Sequence, residues 1–356
     1  MTEPRRAVRL ASRDSGDDVL DALHTEALAA DPAGRIPAAL SIARRIGQTA
    51  PNPGDGSTAL LWETLATVAA ADLTVARTLE PHLDALAILA QATAPVDLDA
   101  IGAGAESTWG VFAAEGGAPL RATGTGDRWS LDGTKPWCSL GTSLSHALVS
   151  AHLDGGGRRL FAVDLGHPGV RAAAGVWAAR GLREVPSGPL DFAGVPAVPV
   201  GDAGWYLERP GFAWGGIGVA AVWWGGAVGV ARRLAAASTS GSREPDQIAQ
   251  MHIGAVDMQL EIARLALSAA AEAVDRRGAD RSEMGIIATR TRRIVAHAAE
   301  EVITRTGHAL GPAPLALEEE HAGRVADLQL YLRQDHAERD EAGLGRALVA
   351  AGGPSW

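Results

Sequence analysis

The sequence predicts an α+β protein of several domains: an N-terminal helical domain, a central antiparallel β domain and a C-terminal helical bundle. Apolar residues recur at helical spacing from about residue 17 to 91 and again from about 212 onward. Between about 109 and 200 the period shortens towards two, and glycine and proline recur every few residues. With 356 residues and 47% hydrophobic content, the chain can bury a large core. We place the domains at 1–105, 106–208 and 209–356.

The first domain is predicted to be helical. Ala- and Leu-rich segments at Asp18–Ala30 and Ala69–Gln91 have helical periodicity. Between them lies a turn-forming segment, Pro51–Ser57, that is rich in proline and glycine. The sequence therefore predicts helices that are separated by a loop.

Two hairpins are predicted in the central domain. Asp132-Gly133 is typical of a two-residue hairpin turn, because such a turn needs positive φ and glycine supplies it without steric cost. The apolar runs Ala147–His152 and Arg159–Asp164 flank three consecutive glycines, so they predict the second hairpin.

Long helices are predicted again in the last domain. One helix has apolar residues at alternating spacings of four and three, which mark a single face. These residues are Met251, Ala255, Met258, Ile262, Leu265 and Ala269. Further helices are predicted over Met284–Thr306 and about Glu318–Ala350.

The segment Trp214–Ala231 carries no charge over eighteen residues and contains six glycines. Its short length and glycine content favour a helix buried in the bundle over a membrane span. Gly225 and Gly229, four residues apart, would let a neighbouring helix come close. We therefore expect no membrane insertion.

Composition restricts the classes of function. The formal net charge of −10 argues against general affinity for nucleic acid or anionic membranes. The single cysteine, Cys138, excludes an intrachain disulfide and a cysteine-based zinc site, and no spacing of His, Asp and Glu makes a convincing metal-ligand set. The N-terminus carries no apolar run of the secretory kind, so we expect a cytoplasmic protein.

A candidate ligand-binding segment follows Asp132-Gly133. Trp137 is a flat indole beside a small hydroxyl, Ser139, and together they could stack on a planar heterocycle and contact its edge. The segment 132–139, Asp-Gly-Thr-Lys-Pro-Trp-Cys-Ser, resembles the Asn/Asp-Gly-x-Lys-x-Trp-Ile/Cys-Thr/Ser motif of the acyl-CoA dehydrogenase superfamily. The order of helices, β region and helical bundle is also the layout of that family. The resemblance implies bound FAD, with Trp137 packed on the flavin ring and Ser139 at its reactive nitrogen.

A second resemblance lies at Val111-Phe-Ala-Ala-Glu-Gly116, where the family has an apolar run followed by Thr-Glu-Pro. That loop holds the pyrimidine edge of the flavin, so the resemblance places Ala114 and Glu115 at the cofactor. Ala114 replaces the threonine, and only backbone contacts survive that change.

Two weaker resemblances concern the rest of FAD. Arg243 is a candidate for the flavin diphosphate, often that of a neighbouring subunit. The segment 306–312 takes the place of a glycine-rich turn, where the backbone of Gly307 and Gly311 can approach a second part of the cofactor. A loop that simply caps a helix is the alternative for these sites.

The resemblance also implies a reaction. In the family, a carboxylate removes the proton α to a thioester while a hydride passes to the flavin. The usual Glu-Gly-Thr base motif is missing here, so the base is Glu341, or Asp340, or absent. The implied partners are an acyl-CoA or related thioester, an electron-transfer acceptor, and further copies of the chain in a homodimer or homotetramer.

Two other functions remain open on the same fold. His336 and Arg339 lie three residues apart and could serve the oxygen-activating site of a flavin monooxygenase, although such residues usually form a solvated face. A degenerate partner subunit of a hetero-oligomer would explain the missing threonine and base motif. Trp223 and Trp224 are expected near the acyl pocket, where indoles would select a small acyl group, with core packing as the alternative.

Overall fold

The computed structural model describes residues 7–11, 18–30, 32–173, 175, 177–240, 244–276, 281–354 and 356. Its N-terminal domain contains the helices α1 (Asp18–Leu28), α2 (Arg35–Gly47), α3 (Thr58–Ala71) and α4 (Leu73–Ala90). The helix predicted from Ala69 is interrupted at Asp72, whose extended backbone ends α3 and whose side chain accepts a hydrogen bond from the backbone N of Val75 at 3.0 Å. Asp72 therefore caps α4 and starts a separate helix.

The central domain is a seven-stranded sheet. Its strands are β1 (Trp109–Phe112), β2 (Arg121–Thr125), β3 (Arg128–Lys135), β4 (His146–Leu153), β5 (Arg158–Asp164), β6 (Val170–Ala172) and β7 (Leu190–Val200). They follow the order β1-β4-β2-β3-β7-β5, and β5 also pairs with β4, which closes β4, β2, β3, β7 and β5 into a ring. Most pairings are antiparallel, as predicted, but β1 and β2 pair with β4 in parallel, so the sheet is mixed.

The hairpin predicted around the three glycines is confirmed, because β4 and β5 pair in antiparallel register from His146↔Asp164 to His152↔Arg158. The turn predicted at Asp132-Gly133 is wrong. Both residues lie inside β3, where the register against β7 shifts, and Gly133 has φ +118°. A bulge needs positive φ as much as a turn does, so glycine alone does not distinguish them.

The last domain is helical. A short helix, α5 (Trp205–Glu208), precedes it after β7. Its own helices are α6 (Gly211–Ser240), α7 (Gln247–Asp275), α8 (Arg281–Leu310), α9 (Ala313–Leu317), α10 (Glu319–Tyr331) and α11 (Glu338–Ala350). The single helix predicted over Glu318–Ala350 is broken between α10 and α11. Arg293 of α8 forms an ion pair with the buried Asp335, and Ala337 has φ +47°. This long-range pair holds the break in place.

Helix α6 forms part of the core. A Cβ on Gly225 would lie 2.2 Å from the carbonyl oxygen of Ala66, and one on Gly229 would lie 2.9 Å from that of Ala70. The backbones of α3 and α6 therefore approach closely, as predicted. In the described part of the chain, the segment 211–239 is the one helix whose length and composition would allow a membrane crossing, and 67% of its most apolar window is buried inside the protein.

The apolar face predicted on α7 lies on the surface of the chain. Four of its side chains, and Ile248 on the same side of the helix, are between 46% and 59% exposed. We call these five the α7 stripe: Ile248, Met251, Met258, Ile262 and Leu265. The opposite face of the helix enters the core through Val256, Ala263 and Leu267. Helix α7 is therefore apolar on both sides.

Candidate active site

A cavity of about 530 Å³ lies between the β domain and the helices. The β side contributes Ala113 and Ala114 after β1, and Trp137 and Ser139 after β3. The helical side contributes Arg77, Glu80 and Asp84 of α4, Val219 of α6, Tyr331 of α10, and Arg333, Gln334 and His336. We call this space the interdomain cavity.

Trp137 forms part of its wall and is 62% exposed. Its φ of +59° is uncommon for a bulky residue. The other non-glycine residues with positive φ in the described chain are Leu140, Leu182 and Ala337. Leu182 lines the cavity, and the other two directly follow lining residues. Backbone strain of this kind concentrates at functional sites.

Ser139 lies on the same wall as Trp137, as the family resemblance implies. Its Oγ is 2.7 Å from the Oγ of Ser187 and accepts a hydrogen bond from Nη2 of Arg77 at 3.1 Å. The hydroxyl is therefore held between the β domain and α4. Ala114 lines the same cavity from the loop after β1.

Glu115 belongs to a different cluster and is not among the described residues that line the cavity. Its carboxylate pairs with Nζ of Lys135 at 3.0 Å, Nε2 of His152 at 2.8 Å and Nη1 of Arg158 at 3.3 Å. Burial alone would raise the pKa of Glu115, but the hydrogen bonds from His152 and Lys135 outweigh it and hold the pKa at about 2. The cluster fixes the loop after β1 to the sheet.

The carboxylates expected as the base, Glu341 and Asp340, lie in the first turn of α11. Glu341 pairs with Nη2 of Arg293 at 2.7 Å, and Asp340 accepts a hydrogen bond from the backbone N of His336 at 3.2 Å. Neither is among the described residues that line the interdomain cavity. The break at Ala337 separates α11 from the cavity, although His336 itself is a lining residue.

The candidates for the rest of FAD lie elsewhere. Gly307 is inside α8, where a turn was expected, and its carbonyl accepts a hydrogen bond from the backbone N of Gly311 at 2.9 Å. Gly311 has φ +68° and ends the helix, as a C-cap glycine does. Neither glycine borders the interdomain cavity as the described residues define it, and Arg243 lies outside the described residues.

Sequence reasoning missed a buried carboxyl in the cavity. Glu80 accepts a hydrogen bond at Oε2 from the hydroxyl of Tyr331 at 3.1 Å, and Nη1 of Arg77 lies 3.5 Å from the same oxygen. Burial raises the pKa of Glu80 to about 7, although Arg77 and the Tyr331 hydrogen bond lower it. Such a carboxyl can take up or release a proton near neutral pH.

A sequence signal for this carboxyl exists. Arg77, Glu80 and Asp84 recur at spacings of three and four on a helix that is otherwise largely apolar, so they share one face. Charged residues are rarely buried without a partner. A charged face on such a helix therefore predicts a polar cavity against it.

The paired tryptophans lie in the core. Trp223 is fully buried, packs edge-on against Tyr331 with ring centroids 6.3 Å apart, and lies under the guanidinium of Arg292 at 4.7 Å. Trp224 donates from Nε1 to the carbonyl oxygen of Leu260 at 3.2 Å. Neither is among the described lining residues, so core packing accounts for both.

Comparison of the sequence with protein-family models gives no match, and comparison with curated proteins gives none either. Solved structures do match. Dibenzothiophene monooxygenase (TdsC) from Paenibacillus sp. A11-2 is 19% identical with a TM-score of 0.77, over 95% of this chain and 98% of that one. A further structure holds TdsC with FMN and indole.

Two more solved structures are of other proteins. KijD3, in complex with FMN and dTDP-3-amino-2,3,6-trideoxy-4-keto-3-methyl-D-glucose, is 18% identical with a TM-score of 0.79, over 96% of both chains. Butyryl-CoA dehydrogenase from Megasphaera elsdenii is 17% identical with a TM-score of 0.76, over 95% of this chain and all (100%) of that one. The chain therefore has the acyl-CoA dehydrogenase fold over nearly its full length, which confirms the predicted architecture.

Proposed function

We propose that this protein is a flavin-dependent oxidoreductase, with the interdomain cavity as its active site. One observation carries the proposal: the exposed indole of Trp137 and the buried carboxyl of Glu80, whose pKa is raised to about 7, line the same cavity. Perturbed carboxyls in clefts are typical of active sites. The FMN bound to TdsC and to KijD3 on the same fold supports the choice of cofactor.

The cavity fits a flavin. Its volume of about 530 Å³ lies within the range of roughly 300–1,000 Å³ that is usual for small-molecule sites. Trp137 offers a flat face for stacking, Ser139 a hydroxyl, and Ala114 its backbone. A bound flavin supplies a hydride acceptor or, once reduced, an electron donor to oxygen. FAD is the cofactor that the sequence resemblance implies, with Arg243 as a candidate for its diphosphate and with Gly307 and Gly311 as candidates for a second part of the cofactor. FMN lacks the diphosphate.

Glu80 is the proposed base in place of Glu341 or Asp340. Its carboxyl borders the cavity, whereas Glu341 is paired with Arg293 and lies 56% exposed on α11. The Tyr331 hydroxyl and Arg77 hold Oε2 of Glu80 in position. Arg77 also donates to Ser139, so the base is tied to the proposed flavin wall.

The proposed reaction is α,β-dehydrogenation of a compact acyl thioester. Glu80 accepts the α proton, and the charged lining that Arg77, Asp84 and Arg333 provide favours a short, polar acyl group over a long chain. An electron-transfer acceptor would reoxidise the flavin. The second candidate is monooxygenation on the same fold, which the cavity position of His336 and the monooxygenase activity in the name of TdsC favour.

A homo-oligomer is part of the proposal. The α7 stripe, defined above, exposes five large apolar side chains along one helix face. Contiguous exposed apolar surface marks interaction sites. A symmetric pairing of two copies would bury the same stripe on both chains.

The test uses purified protein loaded with FAD or FMN under anaerobic conditions and titrated with short acyl-CoA thioesters. Loss of flavin absorbance is expected in the wild type, and Glu80→Gln should slow it roughly 10²–10⁴-fold. Glu341→Gln, the same change on a carboxyl outside the cavity, should react at the wild-type rate. In a second, aerobic experiment, incorporation of an oxygen atom from molecular oxygen into an added organic substrate by the reduced protein would favour the monooxygenase. Protein that takes up neither flavin would support the degenerate partner subunit instead.

A further inference from the structure

A second cavity, of about 700 Å³, lies at the other end of α4. It is enclosed by the loop around Gly54, the C-terminal end of α4 at Gln91, the start of α6 at Trp214, the end of α7 at Val274 and the start of α8 at Met284. The described residues that line it are all different from those that line the interdomain cavity. The proposed flavin chemistry makes no use of this space.

Its wall is largely apolar but holds a buried cation. Arg209 is only 5% exposed. Its Nη1 donates to Oε1 of Gln91 at 2.9 Å, while its Nη2 lies 3.9 Å from Oδ1 of Asp84, too far for a hydrogen bond. Its Nε is buried and has no hydrogen-bond partner among the described residues. Asp84 therefore balances this charge without a direct hydrogen bond, and a donor of Arg209 stays unused.

A second donor lies on the same wall. The indole Nε1 of Trp214 is buried and also lacks a hydrogen-bond partner in the described part of the chain. Buried donors are almost always satisfied in native proteins, and an orphaned one calls for an explanation. Here two orphaned donors, one of them cationic, belong to residues that line one cavity, and both donor atoms are covered by neighbouring atoms. A ligand with an acceptor group that enters between these side chains would satisfy both.

We propose that the second cavity binds an apolar carboxylic acid as its carboxylate, with Arg209 and Trp214 donating to the carboxylate and the apolar wall covering the rest. The planar guanidinium suits a planar carboxylate. Arg281 and Asp55 also line the cavity, and Asp84 lies near Arg209. The two cations and two carboxylates therefore nearly balance, which favours a monoanion over a dianion such as a phosphate. Apolar walls with a few placed polar groups are typical of small-molecule sites.

Arg209 joins the two cavities. Its guanidinium lies 5.2 Å from the ring centroid of Tyr206 and near Asp84, and both residues line the interdomain cavity. A carboxylate that draws Arg209 towards the second cavity weakens its attraction to Asp84. Occupancy of the second cavity therefore changes the electrostatic potential at the edge of the interdomain cavity, where Asp84 lies.

The experiment is isothermal titration calorimetry of the full chain with naphthalene-2-carboxylate and with naphthalene-2-carboxamide, a neutral molecule of nearly the same shape. The carboxylate should bind with one molecule per chain and about tenfold or more tightly than the amide, because a hydrogen bond to a charged group is worth at least that factor. Trp214→Phe keeps an aromatic ring but removes the N–H, and should weaken binding of the carboxylate about tenfold or more.

Two glycine variants test whether the ligand binds in the second cavity. Gly285 lines the second cavity, and a Cβ there meets no atom within 4 Å, so Gly285→Leu starts a larger side chain from open space at the cavity wall. Gly323 of α10 is equally open and lines neither cavity as described, so Gly323→Leu is the control. The proposal expects at least about a tenfold loss of carboxylate affinity in the first variant and none in the second.

Three results would overturn the proposal: no saturable binding at millimolar carboxylate, equal affinity for acid and amide, or full affinity in Gly285→Leu. The last result would place the acid elsewhere, for example in the interdomain cavity. None of these measurements involves a flavin, so their outcome does not depend on whether the proposed function is correct. Circular dichroism of each variant verifies that it is folded.

Discussion

Replacing Glu80 with glutamine should remove a pH dependence from the stability of the protein. Burial raises the pKa of Glu80 from its usual 4.5 to about 7, against the opposing effects of Arg77 and Tyr331. Between these two pH values the folded protein holds a proton that the unfolded chain has released. The free energy of unfolding of the wild type therefore falls as the pH rises through this window.

The size of the effect follows from the pKa. At 1.36 kcal/mol for each pKa unit, the change from 4.5 to about 7 corresponds to about 3 kcal/mol over the whole window. Most of it, about 2 to 3 kcal/mol, falls between pH 5 and pH 8. Glutamine carries no ionisable proton, and its side-chain oxygen can still accept from the Tyr331 hydroxyl. Relative to the wild type, Glu80→Gln should therefore become more stable as the pH rises.

Urea unfolding of both proteins at pH 5, 6.5 and 8 measures this difference. The buried His82, whose pKa burial lowers to about 4, is present in both proteins, so its contribution cancels. Glu341→Gln applies the same chemical change to a half-exposed carboxyl and serves as the control. A difference between wild type and Glu80→Gln that stays constant from pH 5 to pH 8 would refute the reasoning, because it would mean that Glu80 ionises normally in the folded protein.

Two further predictions concern packing and assembly. Gly225→Ala places a Cβ 2.2 Å from the carbonyl oxygen of Ala66, so it should lower the free energy of unfolding by about 1–3 kcal/mol or more in the same urea assay. The control is Gly218→Ala, where the nearest atom to the new Cβ is 3.6 Å away. This variant should be neutral or stabilising by up to about 1 kcal/mol. Ile262→Glu puts a charge in the α7 stripe and should shift a homo-oligomer to the monomer in sedimentation velocity, whereas Glu261→Gln beside it should not; an unchanged sedimentation profile for Ile262→Glu would argue against assembly through this face.

The sequence was sufficient for the layers of the fold, because each layer has its own period. The helical spacing in Asp18–Ala30 and the uncharged run Trp214–Ala231 predicted helices that the structure contains, and the glycines at 225 and 229 predicted the close packing of α6. Local residues did not distinguish a turn from a bulge at Asp132-Gly133, since both need positive φ. Which of the two forms depends on the strand that pairs with these residues, and that strand, β7, is distant in the sequence.

The site was harder to predict because its chemistry depends on tertiary contacts. Trp137 and Ser139 carry a local motif, and both lie in the interdomain cavity. The pKa of Glu80 is raised by burial that residues distant in sequence create. Likewise, the break that separates Glu341 from the cavity is held by the pair between Asp335 and Arg293, which are far apart in the chain. In the sequence, the helical pattern of Glu318–Ala350 continues through that break, so it predicts a single helix.

The proposed flavin chemistry requires that the indole at position 137 form one face of a flavin site. Titration of FMN and of FAD with the purified protein, followed by flavin fluorescence, measures this. Stacking on Trp137 should quench the fluorescence saturably in the wild type, and Trp137→Phe should retain binding while Trp137→Ala loses about tenfold or more in affinity. Saturable binding of equal strength in Trp137→Ala, or no saturable binding of either flavin to the wild type, would contradict the account.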